Sequence, residues 1–200
     1  SLNQKQFRYI FDQIKHYKLP IFKVPSVEDL ASGKYKIDTL KPVSIEDLLR
    51  RDTVNPDLNL LKKSVKNKVV CVTGGGGSIG SELCRQIFLL KPKELIIIDN
   101  SELNLYKIKK ELDNIKIIRI EVRYLLLSCN NEKDLIYEFL KYKVNIVFHS
   151  AAYKHVPLVE INQIYGLKNN VFSTLAICQA ATKTFVSSVI LISSDKAVRP

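Results

Sequence analysis

Two hundred residues, 46% of them hydrophobic, are enough for one well-buried domain with an appendage but scarcely for two complete domains. The formal charge of +11 would attract nucleic acid, anionic membranes and phosphorylated small molecules alike; the lysines are scattered, so charge selects none of these and a solvated basic surface is the favoured reading. Cys71, Cys84, Cys129 and Cys178 form no C-x-x-C pair and have no nearby histidine, which excludes a metal site and reads as buried thiols in a reducing cytosol, and no apolar run approaches the roughly 18 residues of a membrane span.

From Leu2 to about Tyr17, the residues Phe7, Ile10, Phe11 and Ile14 recur at helical spacing, and Pro20 separates them from a strand-like Ile21-Phe22-Lys23-Val24. Residues 1–24 read as a helix and strand remnant of a preceding domain. Residues 25–66 read as a connector rich in charge and turn residues, including Pro25, Gly33, Pro42 and Pro56, with one short helical stretch, SIEDLLRR, from Ser44. The opening SLNQKQFRYIF is too polar for a signal peptide, and the absence of Met favours a sequence cut from a longer protein.

After Lys66 the pattern changes to apolar strands alternating with amphipathic helices. The strands are VVCVT from Val69, ELIIID from Glu94, KIIRI from Lys116, VNIVF from Val144 and SVILI from Ser188. Between them, SELCRQIFLL puts Leu83, Ile87 and Leu90 on one helical face, and NEKDLIYEFLKY does the same with Leu135, Ile136 and Phe139. That order predicts an α/β fold, a Rossmann-like doubly wound parallel sheet, over residues 67–200.

Thr73 to Gly80 reads TGGGGSIG, between the first buried strand and its helix. Gly74, Gly77 and Gly80 fit T-G-x-x-G-x-x-G, with Thr73 ending the strand and Ser78 and Ile79 opening the helix whose amides would face a pyrophosphate. A GGGGS run is linker-like in isolation, but a linker needs neither the buried strand before it nor the amphipathic helix after it. No Gly-Lys-Ser/Thr ends the run, so a P-loop is excluded. Asp99 follows Gly80 by 19 positions, where a carboxylate accepts hydrogen bonds from the adenosine ribose and favours NAD over NADP. The competing reading of Asp99 is a capping box with Glu102.

Three further stretches narrow the reading: HSAAYKHVPLVE from His149, LKNNVFSTLAICQAA from Leu167 and ISSDKAVRP from Ile192. With the glycine loop, and with VPSVEDLASGKYKIDTLKPVSIEDLLRRD upstream, they resemble the CapD-like polysaccharide-biosynthesis enzymes, NAD(P)-dependent UDP-N-acetylglucosamine 4,6-dehydratases and their relatives, over roughly residues 20 to 200. The resemblance implies a UDP-sugar substrate and bound NAD or NADP. It implies hydride removal at the sugar C4, loss of water across C5 and C6, and return of the hydride to C6. It assigns Ser194, Asp195 and Lys196 to the catalytic site, Asp195 as acid and Lys196 as base. It places Ala151 and Ala152 beside the cofactor, Tyr153, Lys154 and His155 on the substrate side, and Asn170 in the helix that organises the site. From the residues alone, Asp195-Lys196 could be an ordinary charged turn, His155 a packed or exposed histidine, and Asn170 an exposed helical asparagine.

The family usually has Gly-Asp-Val-Arg-Asp after the third strand, its first Asp near the adenine. Here Ile120-Glu121-Val122-Arg123-Tyr124 stands there, making Glu121 and Val122 the expected adenine-side positions. The resemblance further implies a membrane region and a nucleotide-binding-like domain upstream, with the catalytic domain cytoplasmic, and a Met- or Tyr-x-x-x-Lys element and sugar-nucleotide region downstream of Pro200. These 200 residues alone are accordingly expected to have little or no dehydratase activity. The alternatives are an epimerase of the same superfamily and a noncatalytic NAD-binding fragment. A homo-oligomer is compatible with the sequence, and a nucleic-acid partner, resting on charge alone, ranks last.

Overall fold

In a computed structural model of the chain, residues 57–115 and 120–193 are described, with positions 6, 9–10, 13–14, 17, 22–23 and 41–42 before them. Two compact units are present, Ser1–Pro56 and Asp57–Pro200. In the first, β1 (Phe22–Lys23) pairs antiparallel with β2 (Lys41–Pro42), so part of the expected strand at Ile21–Val24 is observed. The helical stretch expected from Ser44 lies outside the described residues.

The second unit begins earlier than residue 67. Asp57 caps α1 (Leu58–Val65) by accepting from the Asn59 and Leu60 amides at 2.9 and 3.1 Å, and Val65, 2% exposed, enters the core. The end of the expected connector is thus part of the larger unit, because one buried side chain ties α1 to the sheet. Beyond it run β3 (Val69–Thr73), α2 (Ser78–Leu89), β4 (Glu94–Asp99), α3 (Glu102–Asp113), β5 (Glu121–Leu126), α4 (Glu132–Tyr142) and β6 (Ile146–His149). Two short helices, α5 (Val156–Ile161) and α6 (Gln163–Leu167), lead through a π-helical turn at Lys168–Phe172 into α7 (Ser173–Thr182) and β7 (Ser188–Leu191).

The five strands of this unit are all parallel, in the order β5-β4-β3-β6-β7. Successive side chains of a strand point to opposite faces, so an unbroken apolar run can line two cores at once. Val70, Val72, Leu95 and Ile97 pack with Val65 of α1, Ile87 and Phe88 of α2 and Leu105, Ile108 and Leu112 of α3. Val69, Cys71, Ile96 and Ile98 pack on the other side with Leu135 and Phe139 of α4 and Ala176, Ile177 and Ala180 of α7. Chain order reverses between β4-β3 and β3-β6, which opens a crevice at the carboxyl ends of β3 and β6.

One strand departs from expectation. Residues 116–119 lie outside the described residues, Ile120 is not in a strand, and β5 spans Glu121–Leu126. The run from Ile117 to Ile120 has the stronger apolar signal, but β5 is an edge strand whose pairing needs only one apolar stripe per face. Val122 and Tyr124 meet the α2-α3 core, Leu125 meets the opposite core, and Arg123 reaches Glu94 of β4 at 3.0 Å. A smaller difference concerns the cysteines: Cys71, Cys84 and Cys129 are buried as expected, whereas Cys178 is exposed. Among the described residues no group of His, Cys, Asp and Glu could hold a metal ion, and no helix is long and apolar enough to cross a membrane.

Candidate cofactor groove

The glycine loop leaves β3 at Thr73 and turns at Gly74, whose φ of +65° is a left-handed conformation that a side chain disfavours. The turn brings Gly74 against the Ala151 backbone and closes with the Gly77 amide donating to the Gly74 carbonyl at 3.0 Å. Gly80 then passes so close that an added Cβ would stand 2.0 Å from the Gly74 oxygen. The glycines therefore let α2 start directly beneath the strand end. Gly77 is the N-cap of α2 without a side-chain bond, and the first turn holds no acidic residue, so its amides and the positive end of the helix dipole are left for an anion.

Asp99 ends β4 at 7% exposure and is bound on both oxygens: Oδ2 accepts from the Gly76 amide and Oδ1 from the Ser101 amide, each at 2.9 Å. The capping of α3 falls to Ser101, whose hydroxyl accepts from the Asn104 amide at 3.3 Å. Asp99 thus ties the glycine loop to the end of the neighbouring strand and is not the cap of α3. Carboxylate oxygens have capacity beyond one bond each, so a ribose hydroxyl facing the loop would find an acceptor.

The opposite wall follows β6. Ser150 fastens to the end of β3 through its amide and its hydroxyl, both donating to the Thr73 carbonyl at 3.1 and 2.7 Å. Ala151 and Ala152 follow as small lining residues, and Tyr153, Lys154 and His155 continue the lining as exposed side chains. Asn170 is not a free solvent-facing asparagine. Its Oδ1 accepts from the Tyr153 amide at 2.8 Å and its Nδ2 donates to the Tyr153 carbonyl at 3.0 Å, clamping this wall through its backbone. The π-helical turn that carries Asn170 displaces carbonyls from the usual ladder, and the Ser173 and Thr174 hydroxyls donate to those of Asn169 and Asn170. His155 is the N-cap position of α5 and makes no side-chain capping bond.

Gly74, Gly77, Ser78, Ile79, Gly80 and the wall from Ser150 to His155 enclose a groove of about 1050 Å³ that extends to Asn170, Thr174 and Ser193. That volume is at the upper end of ligand sites, which run from about 300 to 1,000 Å³. A largely apolar groove with an uncapped helix end on one side has room for an elongated dinucleotide. The glycine cradle and the uncapped helix end border it, and Asp99 holds the loop from behind through the Gly76 amide.

Of the expected site residues, Thr73 and Asp99 are buried behind the glycine loop and do not line the groove, and Glu121 and Val122 are not at it. The latter two begin β5, with Glu121 opposite Glu94 at the amino end of the sheet, whereas Asp99 pairs with Leu126 at the carboxyl end. The later start of β5 moves both away from any adenine. The place expected for them is taken by Leu127, whose amide donates to the Asp99 carbonyl at 3.1 Å, and by Ser128 and Cys129 after it. Ser194, Asp195 and Lys196 lie outside the described residues. His149, Ser150 and Thr174 border the groove without having been singled out by sequence; the only local signal was their place in the HSAA and NNVFST stretches.

Residues 70–200 match the family described as polysaccharide biosynthesis protein. The chain is 37% identical over 200 residues to the capsular polysaccharide biosynthesis protein CapD of Staphylococcus aureus, covering 100% of this chain and 33% of that protein. It thus spans about a third of the length of such relatives. Over shorter stretches it is 31% identical to a UDP-glucose 4-epimerase of Rickettsia rickettsii, covering 67% of this chain and 38% of that one. It is 27% identical to an inverting UDP-N-acetylglucosamine 4,6-dehydratase of Campylobacter jejuni, covering 66% and 38%. Among solved structures, Pen from Bacillus thuringiensis superimposes with a TM-score of 0.62 at 29% identity, over 68% of this chain and 40% of that one.

Proposed function

Because the chain belongs to the polysaccharide biosynthesis protein family, we propose that it is the NAD-binding domain of a nucleotide-sugar 4,6-dehydratase acting on a UDP-sugar. The observation that carries the cofactor part of this reading is the Gly74–Gly80 cradle at the switch point of the sheet, held by its Gly76 amide to Asp99 at the end of neighbouring β4. The α2 amides bind the pyrophosphate, Asp99 accepts from the adenosine ribose, and Ala151 and Ala152 leave room for the nicotinamide. The bound nicotinamide supplies a hydride acceptor that later returns what it took. Lys154, exposed on the groove and in no ion pair among the described residues, is the cation that meets the sugar-nucleotide diphosphate. Ser193 lines the groove, and Asp195 and Lys196 follow two and three residues on. In this reading Asp195 protonates the departing C6 hydroxyl and Lys196 takes the C5 proton.

A 4-epimerase is the second reading, favoured by the epimerase relative covering the same stretch. Incubation of the full-length protein with NAD and UDP-N-acetylglucosamine, followed by chromatography and mass spectrometry, separates the two. A product lighter by one water supports the dehydratase, and a product of unchanged mass but altered sugar supports the epimerase.

Asp99 carries the cofactor preference. A 2′-phosphate would meet its buried carboxylate, so NAD is expected to bind more tightly than NADP, and Asp99→Asn to weaken NAD by about tenfold while narrowing the preference. Isothermal titration with both nucleotides measures this, and equal affinities in the unmodified chain would contradict the assignment.

A further inference from the structure

β3 and β6 are neighbours at the switch point, and their last residues, Thr73 and His149, are register partners. Their side chains are also joined, Thr73 Oγ1 lying 2.6 Å from His149 Nδ1. The other ring nitrogen, Nε2, lies 3.1 Å from Thr174 Oγ1, and the imidazole is 1% exposed. The Thr174 hydroxyl has a single proton, which it donates to the Asn170 carbonyl at 2.9 Å. Toward His149 it can therefore only accept, which places the ring proton on Nε2. Nδ1 is then the acceptor, and the Thr73 hydroxyl is its donor. The bonded series reaches the Asn170 backbone carbonyl, and the carboxamide of the same residue is bonded to both backbone groups of Tyr153.

We propose that His149 is a positioning residue of the cofactor groove: held as the neutral Nε2–H tautomer between Thr73 and Thr174, it fixes the strand end that launches the glycine loop against the helical turn that clamps the Tyr153 wall. It acts through Thr174 and Asn170 on groove width and touches no reacting atom. The inference rests on the reading of the groove as a cofactor site.

The surroundings support a neutral ring. From β3 comes the Thr73 hydroxyl and from α7 the Thr174 hydroxyl, with no carboxylate or ammonium bonded to the imidazole. The Cys129 thiol in the turn after β5 is pushed up to about 12 by burial and is uncharged as well. Burial without a counter-charge pushes His149 itself down to about 4.

The chain contains three histidines, so imidazole nitrogen NMR on the 15N-labelled full chain can resolve each tautomer, with His149→Gln assigning the signal. A bare Nδ1 and protonated Nε2 at neutral pH is the expected pattern, and an Nδ1–H tautomer or a charged ring overturns the proposal. In parallel, Thr174→Val, which removes the acceptor, is expected to raise the NAD dissociation constant about tenfold, and Thr174→Ser to restore it. Unchanged NAD affinity in the valine variant also overturns it, and should that variant not fold, the tautomer of the unmodified chain decides. Failure of the unmodified chain to bind NAD counts instead against the cofactor reading, and leaves the tautomer measurement standing by itself.

Discussion

Replacing Gly80 with alanine is expected to raise the NAD dissociation constant by about 100-fold or more and to lower stability by about 3 kcal/mol. An added Cβ would stand 2.0 Å from the Gly74 oxygen and 2.7 Å from its carbonyl carbon, both backbone atoms that no rotamer change can move. Relief requires the loop to open, which breaks the 3.0 Å bond from the Gly77 amide to the Gly74 carbonyl and draws α2 away from the strand end. Gly77→Ala makes a sharp control, because its Cβ would come no nearer than 3.3 Å to the same oxygen, a tight approach with little else around it. Urea denaturation and NAD titration of both variants separate the effects. Gly80→Ala should lose stability and binding together, whereas Gly77→Ala should stay close to the original urea midpoint and lose mainly affinity. A Gly80→Ala protein with the original midpoint and affinity would show that the Gly74 and Gly80 backbones are not in close contact.

Mild acidification is expected to unfold the chain earlier than its carboxylates alone would cause. His149 titrates near 6.5 when exposed and is pushed down to about 4 by burial in the folded chain. Between those values the unfolded chain binds a proton that the native chain refuses, so stability falls as pH drops from about 6.5 toward about 4 and is unaffected by this group above that window. The loss is on the order of 3 kcal/mol, a large share of the stability of a domain this size. Urea midpoints measured across that window should fall steeply for the unmodified chain and more shallowly for His149→Gln, while the contribution of Asp and Glu stays common to both. The imidazole C2 proton reports the same quantity without a variant: a native His149 signal titrating near its ordinary value would remove the basis of the prediction.

Much of the groove was legible because its signals are local. Gly74, Gly77 and Gly80 announce a turn, an open helix start and a close approach within eight residues, and the turn at Gly74 and the close approach at Gly80 are where the pattern puts them. The ends of β3 and β4 were likewise readable, since an apolar run that stops at Thr73 or Asp99 marks the strand's own limit. The third strand was not readable in the same way. The expected strand from Lys116 lies almost wholly outside the described residues, and the strand observed, Glu121–Leu126, is set by its pairing with Glu94–Asp99. That single shift removed Glu121 and Val122 from the groove and brought Leu127 and Ser128 to the edge beside Asp99.

By itself, then, the sequence determined the α/β class, the alternation of strand and helix, the position of the glycine loop and the family, because strand alternation, helical periodicity and glycine placement act over a few residues at a time. The tertiary structure alone decided the register of the edge strand, the role of Asn170 as a clamp on Tyr153, and the burial of His149 between two threonines. Those bonds join residues 17, 25 and 76 positions apart, and nothing in the local pattern of either partner records the other. A polar side chain is drawn inward or left in water according to whether folding brings it a partner, and for His149 the partners arrive only when β3, β6 and α7 have met at the switch point.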